Sequence, residues 1–150
     1  MDLELILSLL QSKDAKQAYG THLELERLSE ESDQLYPYTA RFAEMVNNGK
    51  YAVRVRGFRL FCKQARWDTE NVVDQHIVQA LAILDDEKPT AVRQALSALR
   101  EVVPYKKDLW GVIRERALGI DFLRYKDTMH SLIAGDVCAL LDMMEPGISW

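Results

Sequence analysis

The Ala-Val-Arg triplet of YAVRVRGFRLF, residues 51–61, returns 39 residues later in TAVRQALSALR, residues 90–100, and the apolar positions around it agree best at an offset of 38. A unit of that length holds two helices and a turn. One such pair cannot bury both of its apolar faces, so a chain built from pairs must stack them. A third, weaker echo links YKKD at 105–108 with YKD at 125–127. Alternating polar and apolar runs bounded by hairpin turns are absent from the sequence, so the spacing predicts an all-α fold. The expected architecture is an α-solenoid of about four antiparallel helical hairpins, in one domain spanning 1–150, with 145–150 as a flexible tail.

Eight helices follow from the apolar periods and their punctuation. The first covers about residues 2–12. Asp14 caps a second over 15–31, which is expected to bury Ala15, Ala18, Tyr19 and some of Leu23, Leu25 and Leu28. Pro37 opens a third with Phe42, Met45 and Val46 inward, and Asn47-Asn48-Gly49 ends it. A fourth spans 51–66. Asp68 or Thr69 caps a fifth that runs to Leu84 through Val72, Val73, Ile77 and Leu81. The acidic stretch Asp85-Asp86-Glu87 turns the chain, and Pro89 starts the sixth because a first-turn residue needs no amide donor. Helix six carries a stripe from Ala91 to Val103 broad enough to sit between two neighbours, with Gln94, Ser97 and Glu101 left for solvent. The seventh covers 107–118. The eighth, capped by Asp127, reaches Met144 with Met129, Leu132, Ile133, Val137, Leu140 and Leu141 inward.

DEKPTAVRQALSAL, residues 85–98, resembles the second-helix signature of HEAT repeats, in which an acidic or proline turn leads into Val-Arg and an Ala-Leu pattern. The resemblance covers 85–103 best and 51–66 less well, since Gly57 and Phe58 stand where Ala-Leu is usual; over the N-terminal pair and the last helix it is architectural only. It implies a right-handed HEAT- or armadillo-like superhelix. It also implies that Arg93, and less securely Arg54, bridges to a neighbouring repeat's acidic turn. The whole chain is similar to small bacterial HEAT-like proteins, some of which carry an iron-sulfur assembly label, and no residue of this chain supports that label.

Composition bounds the partner. Net charge is -4, and residues 1–50, 51–100 and 101–150 carry 5, 8 and 6 basic side chains against 9, 6 and 8 acidic ones. Only the middle third is basic, whereas gripping nucleic acid favours a cationic balance over the whole domain. The start, MDLELILSLLQ, has acids where a signal peptide needs bases and reads as an amphipathic helix. No stretch of the sequence is long and apolar enough for a membrane span. Cys62 and Cys138 lack C-x-x-C spacing, so the expected location is a reducing cytoplasm, with neither disulfide nor structural zinc.

The sharpest surface feature lies on helix four. At about 100° per residue, Arg56, Arg59, Lys63 and Arg66 share one sector and form a basic ridge beside the apolar stripe. In a HEAT-like stack the second helices line the concave surface, so the ridge, flanked by Arg93 and Lys126, reads as a docking face for an acidic or phosphorylated protein segment. The ridge does not continue into helix six, where the matching positions are Gln94, Ser97, Glu101 and Pro104. Solvated ridge residues would let Arg59 and Lys63 be reversed to Glu with the melting temperature nearly unchanged.

Two other classes remain open. Trp67-Asp68, Trp110 and Arg114 resemble in residue type the constellation of alkylpurine DNA glycosylases of HEAT-like fold, which would make the chain a DNA-binding protein. Capping by Asp68 and packing of both tryptophans account for the same residues without chemistry. An accessory factor for metal-cluster or cofactor assembly would need metal at Cys62 or Cys138. Histidines 22, 76 and 130 match no ligand spacing and read as partly exposed helix residues. The acids Glu24, Glu26, Glu30, Glu31 and Asp33 read as a solvated end. Lys88, Lys106, Lys107 and Lys126 stand at helix starts and, with Arg93, Tyr105 and Tyr125, form a candidate anion-binding rim. The reading adopted is a protein-interaction scaffold without catalysis or cofactor.

Overall fold

The computed structural model describes residues 2–144, apart from the Leu3 side chain, so the expected tail at 145–150 lies outside the described residues. Among the described residues all regular structure is helical: α1 (Leu3–Leu10), α2 (Ala15–Glu31), α3 (Thr39–Glu44), α4 (Tyr51–Lys63), α5 (Val72–Ala80), α6 (Pro89–Leu99), α7 (Trp110–Leu118) and α8 (Asp127–Asp142). Short 3-10 turns extend several of them, at Tyr36–Tyr38, Met45–Asn47, Gln64–Trp67, Leu81–Asp85, Lys107–Leu109 and Phe122–Arg124. No helix of the described residues is long and apolar enough to cross a membrane.

Capping accounts for most of the boundaries. The Asp14 carboxylate accepts the Gln17 amide at the start of α2, and Asp2 does the same for Leu5 in α1. Pro89 opens α6 as expected. The Asp68 carboxylate binds the amides of Val72 and Val73 at 2.8 and 3.0 Å, but α5 begins only at Val72 because Asn71 first turns left-handed, at φ 57. Pro37 sits in a 3-10 turn, with α3 proper starting two residues later. At α8 the expected cap is displaced by one position: Lys126 is the N-cap, and Asp127 lies in the first turn, where its negative charge interacts favourably with the helix dipole.

Consecutive even-numbered helices pack side by side, α2 on α4, α4 on α6 and α6 on α8. Behind them α3 packs on α4 and on α5, the turn after α5 packs on α6 and α7, and α1 covers α2. Helix α4 is therefore enclosed, with Val53, Val55, Phe58, Leu60, Phe61, Cys62 and Gln64 all buried. Phe42 of α3 and Phe58 and Phe61 of α4 are among the largest fully buried side chains, the two α4 rings tilted against each other.

Two stripes differ from expectation. The buried face of α2 is Ala18, His22, Leu25 and Ser29, while Ala15, Tyr19 and Leu23 are exposed. Its 4-3-4 spacing is helical, but two of its four members are polar, which hides it from an apolar pattern. His22, expected to be partly exposed, is fully buried. Leu132 of α8 is 43% exposed, the main neighbours of α8 among the described residues being α6, α7 and the turn at Phe122–Arg124.

Arg54 makes the bridge that the resemblance assigned more securely to Arg93. Its guanidinium holds the Asp86 carboxylate with two bonds, 2.7 and 3.1 Å, and also caps the carbonyls of Asn48 and Gly49. Asp86 in turn accepts the Lys88 amide and so shapes the entry to α6. Arg93 reaches Asp136 on the body of α8 instead, since the turn before α8 carries Tyr125-Lys126 where the earlier turn carries acids.

Gly57 sets the α3–α4 distance: a Cβ there would collide with the Met45 side chain and stand 2.8 Å from the Phe42 carbonyl. Gly57→Ala is therefore expected to lower stability by about 1–3 kcal/mol despite better helix propensity. Gly111→Ala, in open space on α7, should raise it by about 0.5–1 kcal/mol. Chemical denaturation of both variants checks the pair.

Candidate functional site

Three helices build one groove. Residues four apart share a helix face, so α2 presents Glu26 and Glu30, and α4 presents Arg59 and Lys63. Helix α6 and the turn after it add Gln94, Ser97, Ala98 and Glu101, enclosing about 430 Å³. Gln94 is shared with two adjoining concavities. One, of about 130 Å³, lies between Tyr19, Tyr51, Val55 and Arg56; the other, of about 350 Å³, lies between Arg93, Met129 and Asp136. The three adjoin at Gln94, and their linings together draw on α2, α4, α6 and α8.

Ion pairs cross these concavities at every helix junction. Arg59 grips Glu26 with two bonds, 2.6 and 3.2 Å, and reaches Gln94 Oε1 at 3.2 Å. Lys63 Nζ lies between Glu30 at 2.6 Å and Glu101 at 2.9 Å. Arg66 binds the other oxygen of Glu101 at 2.6 Å and stacks over Tyr105. Arg93 pairs with Asp136 at 2.7 Å. Each cation is thus met by an acid from a neighbouring helix.

Burial alone would raise the Glu26 carboxyl, but His22, whose Nε2 stands 3.0 Å away, and Arg59 together hold it below the ordinary glutamate value. Burial would lower Lys63, but Glu30 and Glu101 outweigh it and keep the ammonium above the ordinary lysine value.

The predicted ridge is real as a line of residues, but its members differ in situation. Arg56, Arg59, Lys63 and Arg93 line the concavities. Arg56 also donates to the Leu10 carbonyl and so closes the end of α1. Arg66 faces Glu101 at the edge, and Lys126 is exposed at the start of α8, outside the groove lining. The expectation that Arg59 and Lys63 could be reversed at no thermal cost fails, because Lys63 is 8% exposed and both bind carboxylates. Sequence reasoning missed those carboxylates. Glu26 and Glu30 repeat the four-residue spacing of Arg59 and Lys63, the one signal that could have paired them; Glu24 and Glu31 point elsewhere, to Arg27.

The other candidates are spent inside the fold. Asp68 is buried and also binds the Tyr36 hydroxyl at 2.7 Å and Lys106 at 2.9 Å, while Trp67 donates to the Ser29 carbonyl and Trp110 to that of Val103. Lys106 is locked between Asp68, Asp74 and Asn71, and the Tyr125 hydroxyl binds the Asp86 carbonyl, so these two members of the expected anion-binding rim are engaged inside the fold. Burial pushes the Cys62 thiol well above its ordinary pKa, while Cys138 is free and exposed. Among the described residues no three His, Cys, Asp or Glu side chains converge as a metal site. No family model, curated protein or solved structure matches this chain.

Lys63→Glu should cost on the order of 3 kcal/mol, because it leaves Glu30 and Glu101 facing a third carboxylate in a nearly buried place; thermal melting measures it. The two shifts also set the pH limits. The Glu26 contribution is complete above 4.5 and is lost as pH falls through its lowered value, and that of Lys63 is complete below 10.5 and is lost as pH rises through its raised value. Urea midpoints taken across pH should show a shallower acid limb in Glu26→Gln than in the wild type.

Proposed function

We propose that the protein is a non-catalytic interaction module, a HEAT-like α-solenoid whose concave second-helix face holds a segment of another protein. The side-by-side order α2, α4, α6, α8 and the Arg54 bridge to the Asp86 turn support that architecture. The observation that carries the function is the set of three adjoining concavities along those four helices, which gathers Arg56, Arg59, Lys63 and Arg93 in its linings. Arg66 and Lys126 stand at its margins as outer contacts.

An acidic or phosphorylated partner engages this face by sharing cations with Glu26, Glu30 and Glu101, so it gains less than it would from an unpaired ridge. Free thiols at Cys62 and Cys138 support work in a reducing compartment, the cytoplasm being the expected one.

Ser97 offers a test that spares the fold, because its side chain is exposed in the groove and no hydrogen bond of the described residues depends on it. A photo-crosslinking residue at Ser97 should capture a partner from native extract that the same residue at exposed Gln79 on α5 does not, and Ser97→Trp, in a chain without the crosslinker, should abolish co-purification of that partner with the melting temperature unchanged. Equal capture from both positions would remove the groove as the contact face.

A further inference from the structure

The groove is divided along its length, and the division describes its occupant. On α2, Tyr19, Leu23, Glu26 and Glu30 share one face, so it passes from apolar to acidic in three turns. On α4 the same axis runs from Tyr51 and Val55 to Arg59 and Lys63. Tyr19, Leu23 and Tyr51 are 48%, 44% and 44% exposed at the apolar end, where Tyr19 stacks on His22 and the Lys88 ammonium stands 5.9 Å from the Tyr51 ring, leaving part of each tyrosine open to a partner. From Val55 to Lys63 the helix rises about 12 Å, the span of three or four extended residues.

The charged end offers both donors and acceptors. Lys63 has three N–H donors, and Glu30 and Glu101 take two. Arg59 has five, of which Glu26 and Gln94 take three. Glu30 is 49% exposed and touches Lys63 through one oxygen only. The lining of this end carries three carboxylates against two cations, so a partner with acids alone meets as much repulsion as attraction. A small metabolite fits poorly, because small-molecule sites are mostly apolar and the only apolar residue here is Ala98.

We infer that the occupant is an extended segment of a partner protein with one aromatic or large aliphatic side chain seated between Tyr19 and Tyr51 and, three or four residues away, adjacent acidic and basic side chains over Arg59, Lys63 and Glu30. This rests on the reading of the groove as a docking face. The buried apolar side chain supplies affinity, and the paired charges set register. Because both signs are matched, binding responds weakly to salt.

The probe is a short capped peptide with one phenylalanine separated by three residues from Glu-Lys-Glu, made in both chain directions and titrated into the full chain while backbone amide shifts are followed. One direction should move the amides of Tyr51 and Val55 together with those of Lys63 and Ser97. Replacing the phenylalanine by serine should weaken binding about tenfold or more, and replacing Glu-Lys-Glu by three glutamates should weaken it and make it salt-sensitive. If the all-glutamate peptide binds as tightly as the mixed one, the inference falls while the docking face stands. If no peptide moves these amides although Ser97 crosslinks a partner, the inference falls alone; if Ser97 captures nothing either, both fall.

Discussion

A helix enclosed on three sides can keep cations only where its neighbours supply acids, since an ammonium or guanidinium taken out of water without a partner is very costly. Helix α4 is in that position, with α2, α3 and α6 around it. Past its first turn it carries Arg56, Arg59 and Lys63, with Arg66 in the 3-10 turn that extends it, and each ends on an acceptor from another element: the Leu10 carbonyl, Glu26, Glu30 and Glu101. The side-by-side arrangement of α2, α4 and α6 follows from these pairings as well as from the apolar faces beneath them. Slipping one helix along another by a turn would separate Arg59 from Glu26 and Lys63 from Glu101 together.

The same pairings shape the surface. A row of unpaired cations would form a strong positive field, suited to long-range capture of an anion. Interleaved with Glu26, Glu30, Glu101 and Asp136, it becomes a mosaic of short-range donors and acceptors with little net field. In the docking role proposed above, such a surface would select by register and draw its affinity from the apolar end at Tyr19 and Tyr51. The residues of α2, α4 and α8 that hold adjacent helices together therefore also face the groove.

Much of this was legible in the residues. Helix existence followed from period and caps, and Asp14, Asp68 and Pro89 act at the places where their chemistry predicts. The Ala-Val-Arg repeat located two helices that do pack side by side. Less legible was the buried stripe of α2, because His22 and Ser29 are polar and their burial depends on what α4 presents: Gln64 donates to the Ser29 hydroxyl at 3.0 Å, and Glu26 lies between His22 and Arg59. Of the two arginines expected to bridge to an acidic turn, Arg54 does so and Arg93 does not, because the motif says that an arginine looks for an acid but not which turn will bring one near.

The sequence by itself determined the helical class, the order and approximate limits of the eight helices, and the gathering of Arg56, Arg59, Lys63 and Arg66 on one side of α4, because these are short-range consequences of period and capping within a single helix. Tertiary structure alone decided whether that side is charged or neutral, since the answer lies in residues about 35 positions away on α2 and α6. Charge compensation is a property of distance in space. Residues that share a helix face can be read from spacing, but acids on separate helices meet their cations only after the apolar faces between them have been brought together.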